Sequence, residues 1–177
     1  MLNISALNPN RAIKDFIVAF AVPSITPLNV YRGQQRAAVL PKSNDFVIFT
    51  PQHEQRLSKT EERLRLKSSE GTYSTFYECT YQIDFYGENA RERAYCLANM
   101  VQTEAADKVV HKHGVRLIDV SNIRNLTGVL DDDQYTARYS LDLRVGYIVK
   151  AMLAEQYFVS VTPALIEVNA NFKDKQR

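Results

Sequence analysis

The stretch that most constrains the fold is residues 76–113, where a strand pattern runs directly into a helix pattern. Across residues 77–85 apolar and polar side chains alternate, which is the period of a strand buried on one face. After Gly87 apolar residues recur at spacings of three and four, which predicts one long helix with an apolar stripe. The stripe comprises Ala90, Ala94, Leu97, Ala98, Val101, Ala105 and Val109. One face of the strand must therefore cover this helix.

The ends of the predicted helix carry typical signals. Asn89 and Glu92 have the spacing of a capping box, in which each residue satisfies a free backbone N–H of the first turn. Lys108 and His111 lie near the other end, where cations suit the helix dipole, and Gly114 can close the helix. The sequence therefore predicts a helix from about residue 90 to about residue 113.

The N-terminal part of the chain predicts a second helix and two short strands. Asn8 can cap a helix that begins at Pro9. Short strands are predicted at residues 28–32 and 45–50, and Pro51 is expected to end the second one. The first helix should pack on the same sheet face as the long one.

Residues 52–72 are the most charged region and predict a β-hairpin with a solvated first arm. Two interpretations of its charges are open. The charges can protect an edge strand from aggregation, or the arm can reach a neighbouring subunit.

The C-terminal third predicts mainly strands. Residues 115–127 form a strand with a bulge or bend, and residues 135–149 show the clearest alternation in the chain. Another strand is predicted at residues 157–168, followed by a loose polar tail at residues 169–177.

Together these elements predict an α+β fold: an antiparallel β-sheet with helices packed on one face, plus a charged β-hairpin. A chain of 177 residues is expected to form a single domain, residues 1–177. The opposite sheet face must then be covered by water or by another protein surface. Its predicted side chains are Glu78, Thr80, Gln82, Asp84, Arg138, Asp142 and Arg144.

The composition is that of an ordinary globular protein, with 45% hydrophobic residues, 24% charged residues and a formal net charge of +2. A net charge this small produces no overall electrostatic attraction to nucleic acid or to an anionic membrane. No apolar run approaches the ~20 residues that span a bilayer, and the N-terminus lacks the features of a signal peptide. We therefore expect a cytosolic start, no membrane partner, and free thiols at Cys79 and Cys96.

The sequence carries no catalytic, metal or cofactor motif. His111 and His113 are two positions apart on the predicted helix and cannot share a metal from one face. The acidic run at residues 131–133 could attract a cation, although it lacks a calcium-loop pattern, and an exposed acidic turn is the simpler interpretation. Tyr81 and Tyr147 could stack on bases, but their phase in the strands favours the core. We therefore expect no enzyme activity and no cofactor.

Several segments in a fixed order resemble a known family. They are an N-terminal helix, the VYRGQQ element at residues 30–35, the block YQIDFYGENARERAYCLANMVQ, a G-V-x-L segment and the final strand YTARYSLDLRVGYIV. Together they resemble the neck or tail terminator family of long-tailed bacteriophages over about residues 8–169. The most specific part is Q-x-D-F-Y-G with the following helix, residues 82–101. Residues 36–44 form a longer polar stretch where family members usually have a compact loop.

The resemblance implies a structural virion protein without a reaction or cofactor. Such proteins form a six-membered ring on the head-proximal end of the tail tube, which ends tube or sheath polymerisation. The ring docks to the head connector in the neck, and genomic DNA passes through its bore without sequence recognition. The implied locations are the host cytoplasm during assembly and then the virion.

A ring needs an interface, and charged side chains on the polar sheet face and the hairpin are the candidates for that interface or the bore. They are Glu61, Glu62, Arg63, Arg65, Arg138, Asp142 and Arg144. An alternative is a nucleic-acid-binding α+β module that uses the basic side chains of the same face, Arg63, Arg65, Arg138 and Arg144. A small-molecule enzyme is a third possibility, which would require a deep pocket with converging titratable groups.

Overall fold

A computed structural model describes residues 3–4, 7–34, 41, 43–65, 70–129 and 135–154. Within them, three α-helices cover one face of an eight-stranded sheet, so the predicted α+β class is confirmed. The predicted strand at residues 157–168, the polar tail and the acidic run at residues 131–133 lie outside the described residues.

The element bounds are as follows. The helices are α1 (Pro9–Phe20), α2 (Ala90–Met100) and α3 (Glu104–His111). The strands of the main sheet are β1 (Asn3–Ile4), β2 (Val30–Arg32), β3 (Phe46–Arg56), β4 (Glu61–Arg65), β5 (Glu70–Tyr86), β6 (Val115–Val120), β7 (Arg124–Asn125) and β10 (Arg138–Ala154). A separate two-stranded ladder joins β8 (Gly128–Val129) to β9 (Tyr135–Thr136).

The sheet is built on the antiparallel pair β5–β10, in which all 17 residues of each strand are in register. The other edge of β5 pairs with β3 and β4, and the other edge of β10 pairs with β7, β6 and β1. The sheet is antiparallel, as predicted, except at one edge, where β2 runs parallel to β3. The chain between β2 and β3 is long enough to return to the same end of the sheet, which a parallel pair requires.

The core lies between the helices and one face of β3, β5 and β10. Over residues 79–85 and 141–147 the alternation in the two long strands puts every second side chain into this core, as predicted. The fully buried side chains there include Phe16, Ile17, Tyr81, Ile83, Phe85, Leu97, Val110, Leu141, Leu143 and Val145.

The predicted single long helix is two helices. The helical hydrogen bonding breaks at residues 101–103, and Thr103 caps α3 by accepting a hydrogen bond from the backbone N–H of Ala106 at 3.3 Å. Spacings of three and four fit one helix or two short ones equally well, so the apolar stripe alone could not locate the break. Asn89 stands at the N-cap of α2, but its side chain does not make the predicted capping bond. Asn8 does cap α1, accepting from Arg11 N at 3.1 Å.

Two strand boundaries also differ from the prediction. Pro51 does not end β3, because a shift in register between Pro51 and His53 accommodates the missing N–H within the strand. The last strand begins at Arg138 rather than Tyr135, because Tyr135 pairs with Val129 in the separate ladder, and it continues to Ala154. The sheet therefore extends further beyond the helices than the sequence predicted.

A buried arginine joins α2 to two loops. Arg93 is 3% exposed, and its guanidinium donates to both carboxylate oxygens of Asp45 and, through Nε, to the carbonyl of Pro23 at 2.7 Å. Gly87 makes room for Asp45: its φ is +101°, and a Cβ there would lie 2.6 Å from Asp45 Oδ1. Because both partners of Arg93 are distant from it in sequence, no local pattern marks Arg93 as buried.

Replacing Arg93 by methionine should lower the free energy of unfolding by about 2–3 kcal/mol, because Asp45 and the Pro23 carbonyl lose their shared donor. Urea denaturation at a fixed protein concentration measures the effect. Arg91→Met is the matched control on the exposed side of the same helix and should change stability by less than about 0.5 kcal/mol. Equal effects of the two substitutions would contradict this account of Arg93.

A second tie joins α1 to the end of α3. Asp15 Oδ2 lies 3.0 Å from Lys112 Nζ and 2.9 Å from His113 Nε2. Partial burial by itself would raise the pKa of Asp15, but the hydrogen bonds with His113 and Lys112 outweigh it and hold that pKa below its ordinary value. The ionised carboxylate is therefore the form that stabilises the contact between the two helices.

The stabilisation by Asp15 should depend on pH in a defined direction. Because the folded-state pKa is lowered, the contribution is fully present above the unfolded pKa of about 3.9 and is lost as pH falls through the folded pKa. Asp15→Asn should therefore be less stable than the wild type at neutral pH, and the difference should shrink below about pH 4. Thermal melts across this range test it, and a difference that is constant with pH would contradict it.

Candidate subunit interface on the open sheet face

The sheet face opposite the helices, here called the open face, carries the even-numbered side chains of β5 and β10. Three of the predicted interface residues, Arg138, Asp142 and Arg144, belong to this set and lie opposite Tyr86, Gln82 and Thr80 of β5. No helix among the described elements lies over this face, since the buried apolar residues of the helices all pack into the core cluster. The open face is therefore the surface on which a partner could complete the fold.

The charges of the open face are paired within the chain. Each of the three predicted residues forms an ion pair with a side chain of a neighbouring strand. The pairs are Arg138–Asp84 (3.0 Å), Arg124–Asp142 (2.8 Å), Arg144–Asp119 (3.0 Å) and Arg144–Glu78 (3.7 Å). A hydrogen bond from the backbone N–H of Val120 and one from the Arg144 guanidinium hold the pKa of Asp119 below its ordinary value. The charges of these arginines are therefore largely neutralised by carboxylates of the same chain.

The Arg138–Asp84 pair is the most enclosed of them. The Asp84 side chain is 8% exposed and accepts hydrogen bonds from Arg138 and from Gln82 Nε2 at 2.9 Å. The Arg138 guanidinium also stands 5.5 Å from the centre of the Tyr86 ring, which in turn stacks on Phe46 at 4.5 Å. Arg138 is therefore part of the folded sheet and is poorly placed to bind phosphate.

Arg138→Leu should lower the free energy of unfolding by about 1–3 kcal/mol, because it leaves the nearly buried Asp84 carboxylate without its charged partner. Arg144→Leu, at an exposed pair, should cost less than about 1 kcal/mol. Chemical denaturation of both variants compares the two. If both substitutions leave stability unchanged, these arginines are free for a partner and the structural role is wrong.

The other predicted interface residues lie at a different place. Glu61, Glu62 and Arg63 are exposed in β4, which pairs with residues 70–74 at the far end of β5. Arg63 Nε lies 2.9 Å from Glu61 Oε1, and Glu62 Oε1 accepts from the Tyr73 hydroxyl at 3.4 Å. Glu61 pairs with Ser74 of β5, and Arg144 pairs with Thr80 of the same strand. These two positions of β5 are six residues, or about 20 Å, apart. Within one chain, the exposed residues of β4 are therefore far from the three predicted residues of β10. The Arg65 side chain lies outside the described residues.

Between these groups the open face carries an apolar patch that the sequence analysis missed. We define the apolar patch as Phe76, Ile118 and Ile148, which lie around Gly146, together with Met152, which lies six residues further along β10 on the same face. The Phe76 ring fills the space above Gly146, where a Cβ would lie 2.6 Å from Phe76 Cζ, and Ile118 adjoins it. Ile148 and Met152 are 45% and 42% exposed. The available signal was that Phe76, Ile148 and Met152 are apolar at positions where the alternation requires polar residues.

The alternative role of Tyr81 and Tyr147 as base-stacking side chains is not supported by their positions. Tyr81 and Tyr147 are buried on the helix side, where Tyr81 donates to Asn10 Oδ1 at 3.1 Å and Tyr147 donates to Glu54. Burial raises the pKa of both phenols. The predicted core position of the two tyrosines is therefore confirmed, and the structure does not favour nucleic-acid binding on the open face.

The described residues bring no catalytic group of side chains together. Within them, no set of three or more His, Cys, Asp or Glu side chains is placed to hold a metal ion. Burial raises the pKa of Cys79 to about 11, so its thiol stays protonated at neutral pH. A cleft of about 1020 Å³ lies between α1 and β2, and its described lining contains no carboxylate, histidine or thiol. None of the described helices has the length and apolar character needed to cross a membrane.

Comparison with known proteins identifies the family. A family model described as phage neck terminator protein matches residues 10–174, which is nearly the whole chain. The chain belongs to the phage neck terminator family. A search of curated proteins found no match. The resemblance predicted from the sequence is confirmed, and this neck terminator has a structural role in the neck and tail of a bacteriophage.

Proposed function

We propose that this neck terminator forms a homo-oligomeric ring at the head-proximal end of the tail tube. The ring has six subunits, the number that the family resemblance implies. The ring ends tube or sheath polymerisation and docks to the neck or connector protein of the head. The observation that carries the proposal is the family match over residues 10–174. The open face, with its exposed apolar patch, supplies a surface on which subunits can meet.

Ring closure by rotation requires a heterologous contact, in which one patch of a subunit meets a different patch of the next. The apolar patch suits the centre of such a contact, because Ile148 and Met152 remain exposed in the single chain. The ion pairs around Arg138, Asp142 and Arg144 lie along one side of it, and β4 lies near its other end. We place the predicted residues Glu61, Glu62, Arg63 and Arg65 at the rim, where charges set register more than affinity.

Internal charge pairing also suits the passage of DNA. A bore lined by free arginines would hold phosphates by releasing their counterions, and transit would be slow. On the open face Arg138, Arg124 and Arg144 are each paired with a carboxylate. If this face borders the bore, it presents little net charge to the DNA, which can then slide through without sequence recognition.

The ring proposal is tested on the wild type and on an apolar-patch variant, Ile148→Glu/Met152→Glu. Light scattering and negative-stain images should show a six-fold ring for the wild type. The variant should associate at least about tenfold more weakly, because two charges enter an apolar contact. Tyr95→Glu, an exposed aromatic on the helix side, is the matched control and should still form rings. A wild type that stays monomeric at all concentrations would sink the proposal.

Termination is tested separately with the tail-tube protein of the same phage. Added during tube polymerisation, the wild type should shorten the tubes and appear as a cap at one end in electron micrographs. The Ile148→Glu/Met152→Glu variant should leave tube length unchanged, because termination by a ring requires the ring. Rings that form normally yet neither cap nor shorten tubes would overturn the termination step and leave self-assembly standing.

A further inference from the structure

The cleft between α1 and β2 carries positive charge that no described carboxylate neutralises. Three cations line it, Arg11 and Lys14 of α1 and Arg32 of β2, here called the cleft cations. None of them forms an ion pair with the described residues. The first turn of α1 contains no acidic residue, so the positive end of the helix dipole adds to this charge. The cleft should therefore attract a ligand with negative charge.

The same cleft borders a free strand edge. One edge of β2 pairs with β3, and no described strand pairs with its other edge. The backbone N–H of Gly33, directly after β2, donates to the carbonyl of Phe49 in β3 at 2.9 Å. Backbone groups of successive residues point to opposite edges of a strand, so Val30 and Arg32 direct theirs away from β3. A further strand could therefore pair with β2 in the cleft.

The two faces of β2 differ in chemical character. Val30 packs into the core on the helix side, and Arg32, two residues further on, lies on the same face as the cations of α1. Tyr31 lies on the opposite face, where its ring centre is 6.3 Å from that of Phe46. Ile48, which pairs with Tyr31, extends the apolar lining there. A strand added beside β2 would therefore have cations on one face and apolar side chains on the other.

We infer that the cleft binds an extended segment of a partner protein in which acidic and apolar residues alternate. The segment adds to the sheet as a strand beside β2, with main-chain hydrogen bonds to the Val30 carbonyl and to the N–H and carbonyl of Arg32. Its acidic side chains meet the cleft cations, and its apolar side chains meet Tyr31 and Ile48. The inference goes beyond the proposed ring, because the cleft lies within a single chain.

A peptide fits this cleft better than a nucleic acid does. The outward carbonyls of β2 need hydrogen-bond donors, which a peptide backbone supplies and a phosphate backbone does not. Leu28, on the short turn before β2, is 83% exposed at the margin of the cleft and offers a further apolar contact. The combination of charge, free backbone groups and apolar surface therefore favours an acidic peptide strand.

The order of residues in the ligand is tested with two labelled peptides and the full-length protein. The alternating peptide is Gly-Asp-Leu-Asp-Val-Asp-Gly, and the block peptide Gly-Asp-Asp-Asp-Leu-Val-Gly has the same composition and charge. Fluorescence anisotropy at low salt should show at least about tenfold tighter binding of the alternating peptide, because only its carboxylates all lie on one strand face. Added salt should weaken that binding. Equal affinity for the two peptides would overturn the inference.

The cleft cations are tested by charge reversal. Arg11→Glu/Arg32→Glu should bind the alternating peptide at least about tenfold more weakly, because like charges then face each other. The matched control Arg91→Glu/Arg116→Glu reverses two exposed arginines elsewhere and should bind as the wild type does. The cleft variant should instead bind Gly-Lys-Leu-Lys-Val-Lys-Gly, and this gain also shows that it is folded. A cleft variant that keeps wild-type affinity for the acidic peptide would contradict the assignment.

Strand addition is tested by amide hydrogen exchange measured by NMR. With the alternating peptide at saturation, exchange of the Arg32 amide should slow at least about tenfold, because it becomes hydrogen-bonded to the peptide backbone. The Arg116 amide, on the other side of the sheet, should exchange at the same rate with and without peptide. An unchanged rate at Arg32 would show that the peptide does not pair with β2, and the inference would be wrong.

Other occupants of the cleft would give different results, each of which contradicts the inference. Duplex DNA that binds the wild type but not the cleft variant, with no binding of the alternating peptide, would assign the cleft to nucleic acid. Weaker self-association of the cleft variant in sedimentation velocity would assign the cleft to a second copy of the chain. Failure of the wild type to bind the alternating peptide leaves the proposed ring standing, because the ring is tested separately at Ile148 and Met152.

Discussion

The pairing of β5 with β10 is the contact on which the rest of this structure depends. Two 17-residue strands in unbroken register form a ribbon much longer than the helices that cover it. One face of the ribbon, over about half its length, is sealed by α1, α2 and α3, and this region holds the core. The remaining surface keeps large apolar side chains such as Ile148, Met152 and Leu153 partly in water. The proposed assembly of copies would bury part of this apolar area, which one chain leaves exposed.

The charged side chains of the open face form ion pairs within the chain, so their charges are not free to bind a partner. Arg138, Arg124 and Arg144 each pair with a carboxylate of the same chain, and Asp84 is nearly buried beneath Arg138. Three cations that form no ion pair with the described residues, Arg11, Lys14 and Arg32, line the cleft between α1 and β2. The charges of the open face therefore contribute mainly to the stability of the fold.

Sequence-based prediction was most accurate here for interactions between residues that are close together in the chain. Strand alternation and the cap at Asn8 are local, and they correctly predicted the core face of β5 and β10 and the start of α1. The break at Thr103 was missed because the apolar stripe has the same spacing on either side of it. The burial of Arg93 was missed because Asp45 and Pro23 are 48 and 70 residues away. The predicted interface residues Arg138, Asp142 and Arg144 lie on the open face, but their charges are paired within the chain, which the sequence alone could not show.

The sequence by itself determined the α+β class, the face of each long strand that enters the core, and membership in a family of phage neck proteins. These follow from periodicity and from short ordered motifs, which are properties of neighbouring residues. Tertiary structure alone decided which charges neutralise one another, that Phe76 covers Gly146, and that Arg11, Lys14 and Arg32 share one cleft. Strand register and helix packing bring together residues that are remote along the chain, and a single sequence contains no direct record of those distances.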